Sequence, residues 1–132
     1  MHAGVPVIGT LNLVPVISWV NAGNWVESYQ SPEVSDWVVT DVAKKEVFAL
    51  RVEGDSMAPE FASGDLVVVD PHAGWENGHY VIALKDNETI FKQYKVYGKT
   101  AVLKPLNPSY DDSVVTEEIQ IIARVIRKIK RY

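Results

Sequence analysis

Two side chains in this 132-residue chain are of the types that together could break an acyl bond: Ser56 and Lys92, 36 positions apart. Ser56 sits in Val52-Glu53-Gly54-Asp55-Ser56-Met57-Ala58-Pro59, after a β-type run and a glycine and just before a proline-containing turn. A hydroxyl at such a strand exit stands where backbone N–H groups converge, which is what a nucleophile with an oxyanion hole needs. Serines after Gly-Asp also serve simply as turn residues. Lys92 sits in Thr89-Ile90-Phe91-Lys92-Gln93-Tyr94. On a strand, Ile90, Lys92 and Tyr94 share one face, while Phe91, Gln93 and Lys95 take the other. Partial burial between Ile90 and Tyr94 disfavours the ammonium, lowers its pKa and yields an amine able to accept a proton. The alternative is a lysine whose stem lies on apolar surface and whose head stays in water.

No second catalytic set competes. His2, His72 and His79 are scattered, with neither zinc-site spacing nor a Ser-His-Asp order. Asp55, Asp65 and Asp70 read as turn and strand-end residues, and there is no glycine-rich phosphate loop. With no cysteine, disulfides, thiolate metal sites and cysteine nucleophiles are excluded. No metal or cofactor is expected. A formal charge of −4 argues against a domain whose main task is to hold a phosphate backbone. No run of 18 apolar residues exists, so no membrane span is expected. The apolar N-terminal stretch is interrupted by Pro6, Gly9, Asn12 and Pro15 and lacks a basic leader, so a cytoplasmic location is expected. The basic run Arg124–Arg131 interleaves charges with Val125, Ile126 and Ile129, which predicts a half-buried edge strand rather than a nucleic-acid contact.

The elements that must position these residues are mostly strands. Runs rich in Val, Ile and Tyr predict strands at 14–20, 47–53, 66–69, 80–84, 89–96, 101–106 and 119–130. Turn signals separate them at Gly54-Asp55, Ser63-Gly64-Asp65, Pro71 to Gly78, Asp86-Asn87, Gly98 and Asn107-Pro108. No window sustains a 3.6-residue apolar period over ten positions, and only short helical turns are expected, near 36–44 and 59–62. The fold class is therefore mostly β, a tightly turned sheet or distorted barrel. The stretch up to about Asn24 is apolar and almost uncharged, and reads on its own as a strand and turn packed on the body, with Gly23 supplying the turn.

Taken in order, the motifs resemble the LexA, lambdoid-repressor and UmuD family of serine-lysine self-cleaving domains, and within it a prophage CI-type repressor. Val14-Pro15-Val16-Ile17-Ser18-Trp19-Val20-Asn21-Ala22-Gly23 is similar to the cleavage-site segment with its Ala-Gly bond. Gly54-Asp55-Ser56-Met57 is similar to the nucleophile motif, and Ser63-Gly64-Asp65-Leu66-Val67-Val68-Val69-Asp70 to the strand that follows it. Thr89–Tyr94 is similar to the base-bearing strand, followed by Leu103-Lys104-Pro105-Leu106-Asn107-Pro108. The resemblance implies a LexA/signal-peptidase-like domain of distorted, highly twisted sheets with a mobile cleavage-site segment. It implies that Ser56 attacks the Ala22 carbonyl, that neutral Lys92 takes the Ser56 proton, and that the N–H groups of Asp55 and Ser56 hold the oxyanion. It further implies a homodimer, a RecA filament on single-stranded DNA as the trigger, and operator binding through an N-terminal helix-turn-helix domain. That domain is absent here, so the expected division is an arm with the cleavage site over 1–25 and a catalytic and dimerisation domain over 26–132. Family members often carry Thr two residues before the lysine. Ile90 stands there, which predicts a drier site that favours the neutral amine.

Three alternatives stand beside this reading. A UmuD-like mutagenesis protein would trim a short arm to activate a partner. A non-cleaving dimerisation module would keep the motifs as a remnant. A protease acting on other proteins, in the manner of signal peptidase, fits least, because the candidate bond lies in the same chain.

Overall fold

The computed structural model describes residues 11–28 (side chains as far as Gly23), 34–44 and 46–131; the first ten positions of the expected arm, His2 among them, lie outside the described residues. Nine strands form one open sheet in the order β2-β1-β3-β4-β9-β5-β6-β7-β8. They are β1 (Asn12–Val16), β2 (Asp36–Thr40), β3 (Phe48–Arg51), β4 (Leu66–Asp70), β5 (Tyr80–Lys85), β6 (Glu88–Tyr97), β7 (Thr100–Lys104), β8 (Ser113–Val114) and β9 (Ile119–Ile129), with one helix, α1 (Trp19–Ser28), between β1 and β2. The fold is mostly β, as the runs of β-branched residues predict. Among the described residues all strand pairings are antiparallel except that of β1 with β3 at Val16 and Ala49.

The sheet is twisted and irregular for identifiable reasons. Register shifts at Val68/Val69 against β9 and at Ile82/Ala83 against β9 introduce bulges, which bend strands and increase local twist. The buried apolar residues gather in three clusters. Phe48, Leu50, Met57, Phe61, Ile82 and Phe91 form the largest; Val14, Val38, Leu66 and Val68 a second; Val81, Ala83 and Leu103 a third. Asp86 and Asn87 both take positive φ, 52° and 63°, the conformation of the two-residue hairpin that joins β5 to β6.

Several sequence expectations are corrected. The 14–20 strand ends at Val16, and Trp19–Ser28 is a ten-residue helix although no helical period announces it. Its termini explain it: Ser18 Oγ accepts the Asn21 N–H at 3.1 Å as an N-cap, and Trp19 Nε1 donates to the Arg51 carbonyl at 2.9 Å. Tertiary anchoring thus supplies what Val20 and Gly23 withhold in propensity. The stretch from Asp36 to Thr40 is a strand rather than a helical turn, because Val38 and Thr40 alternate inward against β1 while Trp37 and Val39 face out. At 59–62 there is a single turn, closed by the Phe61 N–H on the Met57 carbonyl. The two-residue β8 was not anticipated.

The basic strand β9 lies inside the sheet, between β4 and β5, not at an edge. Ile122 and Ala123 are buried, while the long cationic stems reach the surface and pair there: Arg127 with Asp41, Lys128 with Glu60, Lys130 with Asp65 and Arg131 with Asp36. The Lys130 pair matters for the loop that carries Ser56. Buried Asp65 takes the Ala62 N–H, and its carboxyl is held below the usual range chiefly by that bond, with Arg131 N–H and Lys130 adding to it. Asp65 also accepts the Val52 N–H through its carbonyl, so both ends of the 53–64 loop are tied together.

Candidate active site

Ser56 follows β3 by five residues. Gly54 has φ of +74°, a left-handed conformation that turns the chain sharply out of the strand and presents Asp55-Ser56 at the surface of the loop. Met57 is buried beneath it and anchors the turn in the largest core cluster. Lys92 lies midway along β6, opposite Val81 of β5. The loop and the strand meet so that Lys92 Nζ donates to Ser56 Oγ at 3.3 Å. The two residues singled out from their types are therefore within reach of each other.

Burial pushes the Lys92 ammonium below the ordinary lysine value, and the carboxylate of Glu88, on the same strand, opposes this in part. Ile90 lines the same cleft. The N–H groups of Asp55 and Ser56 have no acceptor among the described residues, which leaves both donors available to an incoming oxyanion.

The cleft beside the pair measures about 760 Å³, with Trp19, Val20, Gly23, Ser56, Glu88 and Lys92 in its walls. One wall is strand edge: β6 pairs with β5 from Glu88 to Gln93, but with β7 only from Gln93 onward, so residues 88–92 have no strand on their outer side among the described residues. Helix α1 packs there instead. Trp19 stacks on Phe91 with ring centroids 6.5 Å apart. A Cβ at Gly23 would lie 3.0 Å from Leu84 Cδ2 and 3.5 Å from Thr89 Oγ1, so the glycine lets the helix settle directly on the β5–β6 hairpin. Ala22 is fully buried in the main core. Of the expected cleavage pair, Gly23 thus lines the cleft that holds Ser56 while Ala22 lies in the core, and both are wound into a helix, a geometry in which carbonyls are engaged by N–H groups four residues on.

The remaining candidates are placed elsewhere. His72 Nε2 pairs with Glu46 at 2.7 Å and His79 Nδ1 accepts the Glu76 N–H, both far along the fold from Ser56 in sequence and outside its cleft. Asp70 binds Lys44 and the His72 N–H. Among the described residues no three His, Asp or Glu side chains gather in a way that could hold a metal, and no helix is long and apolar enough to cross a membrane. Trp19 and Glu88 are the parts of the site that sequence reasoning missed. Glu88 stands four residues before the lysine, a signal too common on a strand to single it out.

Comparison with known proteins decides the relationship. The pattern described as Peptidase S24-like matches residues 15–126. This chain belongs to the peptidase S24-like family. Its relatives in that family are regulators: it is 36% identical to the HTH-type transcriptional regulator for conjugative element R391 of Providencia rettgeri over 88% of the chain, and 38% identical to repressor protein C2 of Salmonella phage P22 over 85%. It is 37% identical to the LexA repressor of Syntrophotalea carbinolica over 90%. The chain spans 59%, 56% and 60% of the length of these three proteins. The S24-like match takes in β1 from Pro15, α1, Ser56 and Lys92, and so both walls of the cleft.

Proposed function

We propose that this S24-like domain is the self-cleaving part of a LexA/CI-type repressor, cutting its own Ala22–Gly23 bond with Ser56 as nucleophile and Lys92 as general base. The observation that carries the reading is the 3.3 Å approach of Lys92 Nζ to Ser56 Oγ in a site that disfavours the ammonium. As an ammonium Lys92 can only donate to the serine; once neutral it accepts the hydroxyl proton instead. Ser56 Oγ then bonds to the Ala22 carbonyl carbon, and the oxyanion is held by the Asp55 and Ser56 N–H groups. Collapse breaks the Ala22–Gly23 C–N bond, and the proton on Lys92 passes to the Gly23 amine. Water, deprotonated by Lys92, releases Ala22 as a carboxylate and restores Ser56.

The bond must first leave its helix. A buried carbonyl engaged in helical hydrogen bonding offers no path to Ser56 Oγ, so reaction draws on a minor conformer in which the segment is unwound and seated in the cleft. Nucleophile and bond share one chain, and the rate follows the population of that conformer. By resemblance to the repressors, a RecA filament on single-stranded DNA favours that conformer, the domain acts as a homodimer, and the site of action is the cytoplasm. Operator DNA would be bound by an N-terminal domain outside this chain.

Intact mass after incubation at mildly alkaline pH tests the reading, with Ser56→Ala and Lys92→Ala beside the wild type. Fragments ending at Ala22 and starting at Gly23 from the wild type alone are expected. A wild type that stays whole, with or without RecA filament and nucleotide, overturns it in favour of a non-cleaving dimerisation module.

A further inference from the structure

The segment Leu103–Pro108 stands among the sequence motifs, yet the dyad chemistry makes no use of it. In the structure it leaves β7 and returns to the nucleophile loop. The Asn107 side chain donates from Nδ2 to the Asp55 carbonyl at 3.1 Å, and the Asn107 backbone N–H donates to the Ser56 carbonyl at 3.0 Å. Three residues on, the Tyr110 hydroxyl donates to the Asp55 carboxylate. The turn holding these groups is itself closed: Ser109 N–H donates to Asn107 Oδ1 at 3.0 Å and Tyr110 N–H to the Asn107 carbonyl at 3.1 Å. The first of these orients the amide, so that its NH2 faces Asp55.

We infer that Asn107, with Tyr110 in support, is a positioning residue that sets the oxyanion hole by holding the nucleophile loop through its carbonyls. A peptide unit is planar and trans, so its C=O and N–H point in opposite directions. The carbonyl of Asp55 and the N–H of Ser56 belong to one such unit. Pinning the carbonyl to Asn107 therefore fixes the direction in which the Ser56 N–H points. The same carbonyl also takes the Ala58 N–H at 3.1 Å, so two donors from different segments define the plane. Accepting two bonds also polarises the unit and makes its N–H a better donor. Tyr110 restrains the adjoining residue by its side chain. Its hydroxyl is bound to Asp55, which pushes its pKa up, so this hold persists at the alkaline pH where Lys92 loses its proton.

This inference rests on the Ser56–Lys92 reading, and its test separates the two. The probe is a fluorophosphonate, which Ser56 Oγ attacks at phosphorus with loss of fluoride, its proton passing to Lys92. Labelling needs the dyad and the oxyanion hole but not the Ala22–Gly23 segment, whereas self-cleavage needs all three. Asn107→Leu is nearly isosteric and uncharged, so it removes the donor facing Asp55 without placing a new carboxylate near Lys92. Misaligning one oxyanion donor is expected to slow labelling and self-cleavage by the same factor, about 10- to 100-fold. The pH at half-maximal rate, set by Lys92, is expected to stay where it is. A rate within twofold of wild type overturns the inference while the dyad stands, and so does a loss confined to self-cleavage or a displaced pH midpoint. A wild type that neither labels nor cleaves removes the dyad reading and this one together. If Asn107→Leu melts below the assay temperature, Tyr110→Phe decides: an equal loss of about threefold or more in both rates supports the positioning role, and unchanged rates overturn it.

Discussion

Ser56 and Lys92 are brought together by long-range structure, a loop tied at both ends by Asp65 and a strand in the body of the sheet. Ala22 and Gly23 are held nearby by local structure, a single helix capped by Ser18 and pinned by Trp19. The first region cannot rearrange without disturbing the core. The second can unwind at the cost of one short helix and of the contacts of Trp19 and Ala22 with the core, and isolated helices of ten residues are marginal in water. On the proposed reading, the contrast places control in the access of the bond to a Ser56–Lys92 pair that already stands together. A device of this kind needs a gap of only a few kcal/mol between the wound and seated states of the segment.

The largest effect that would break this comparison is on the chemistry. Ser56→Ala and Lys92→Ala are each expected to lower self-cleavage by about a thousandfold or more, with the far-ultraviolet spectrum unchanged. Comparable cleavage by either variant would mean that the assembled pair is not the catalyst. A smaller effect should come from the segment. Ser18→Ala removes the N-cap, worth about 1 kcal/mol, and should speed self-cleavage roughly fivefold by raising the unwound population. Fluorophosphonate labelling of Ser56 should not change, since the dyad is untouched. Slower cleavage in Ser18→Ala would show that the helix helps to present the bond rather than withhold it.

The pH dependence sharpens the other side. Cleavage should rise with pH as Lys92 loses its proton, with a midpoint below the ordinary lysine value because burial disfavours the ammonium. Ile90→Thr adds a hydroxyl able to accept from the ammonium and should move that midpoint upward; an unchanged or lower midpoint counts against the dry-site account. Glu88→Gln removes the carboxylate that favours the ammonium and should move it downward. The smallest effect is on stability. A lysine with a depressed folded-state pKa burdens the fold below that value, and the burden lifts as pH rises from there to the unfolded-state value. Lys92→Met should therefore melt a few degrees higher than wild type at neutral pH, with the margin narrowing at alkaline pH. A margin independent of pH would assign the gain to packing alone.

Much of the scaffold was legible in the chain because strands announce themselves locally. Val, Ile and Tyr runs cut by Gly64-Asp65, Asp86-Asn87 and Gly98 locate β4, β5, β6 and β7 within a few residues. The helix was not legible: Trp19-Val20-Asn21-Ala22-Gly23 has poor helical propensity and no apolar period, and it winds because distant partners, the Arg51 carbonyl and the Phe91 ring, receive Trp19. Strand β9 looked like an edge because its charges alternate with apolar residues. The cations do reach the surface, where Asp41, Glu60 and Asp65 pair with them, while Ile122 and Ala123 hold the strand inside the sheet.

The residue types alone determined the candidate chemistry, since a serine beyond a Gly-Asp turn and a lysine among apolar strand neighbours already state what each could do. Their order along the chain also determined the family resemblance, and with it the proposal that Ala22–Gly23 is the bond attacked. Only the tertiary structure decided that Lys92 reaches Ser56, that Asn107 returns to hold the loop between them, and that the bond is wound away in α1. Each of these joins residues far apart in sequence, and such pairs are set by how strands stack and loops close over a shared core rather than by any local preference of the chain.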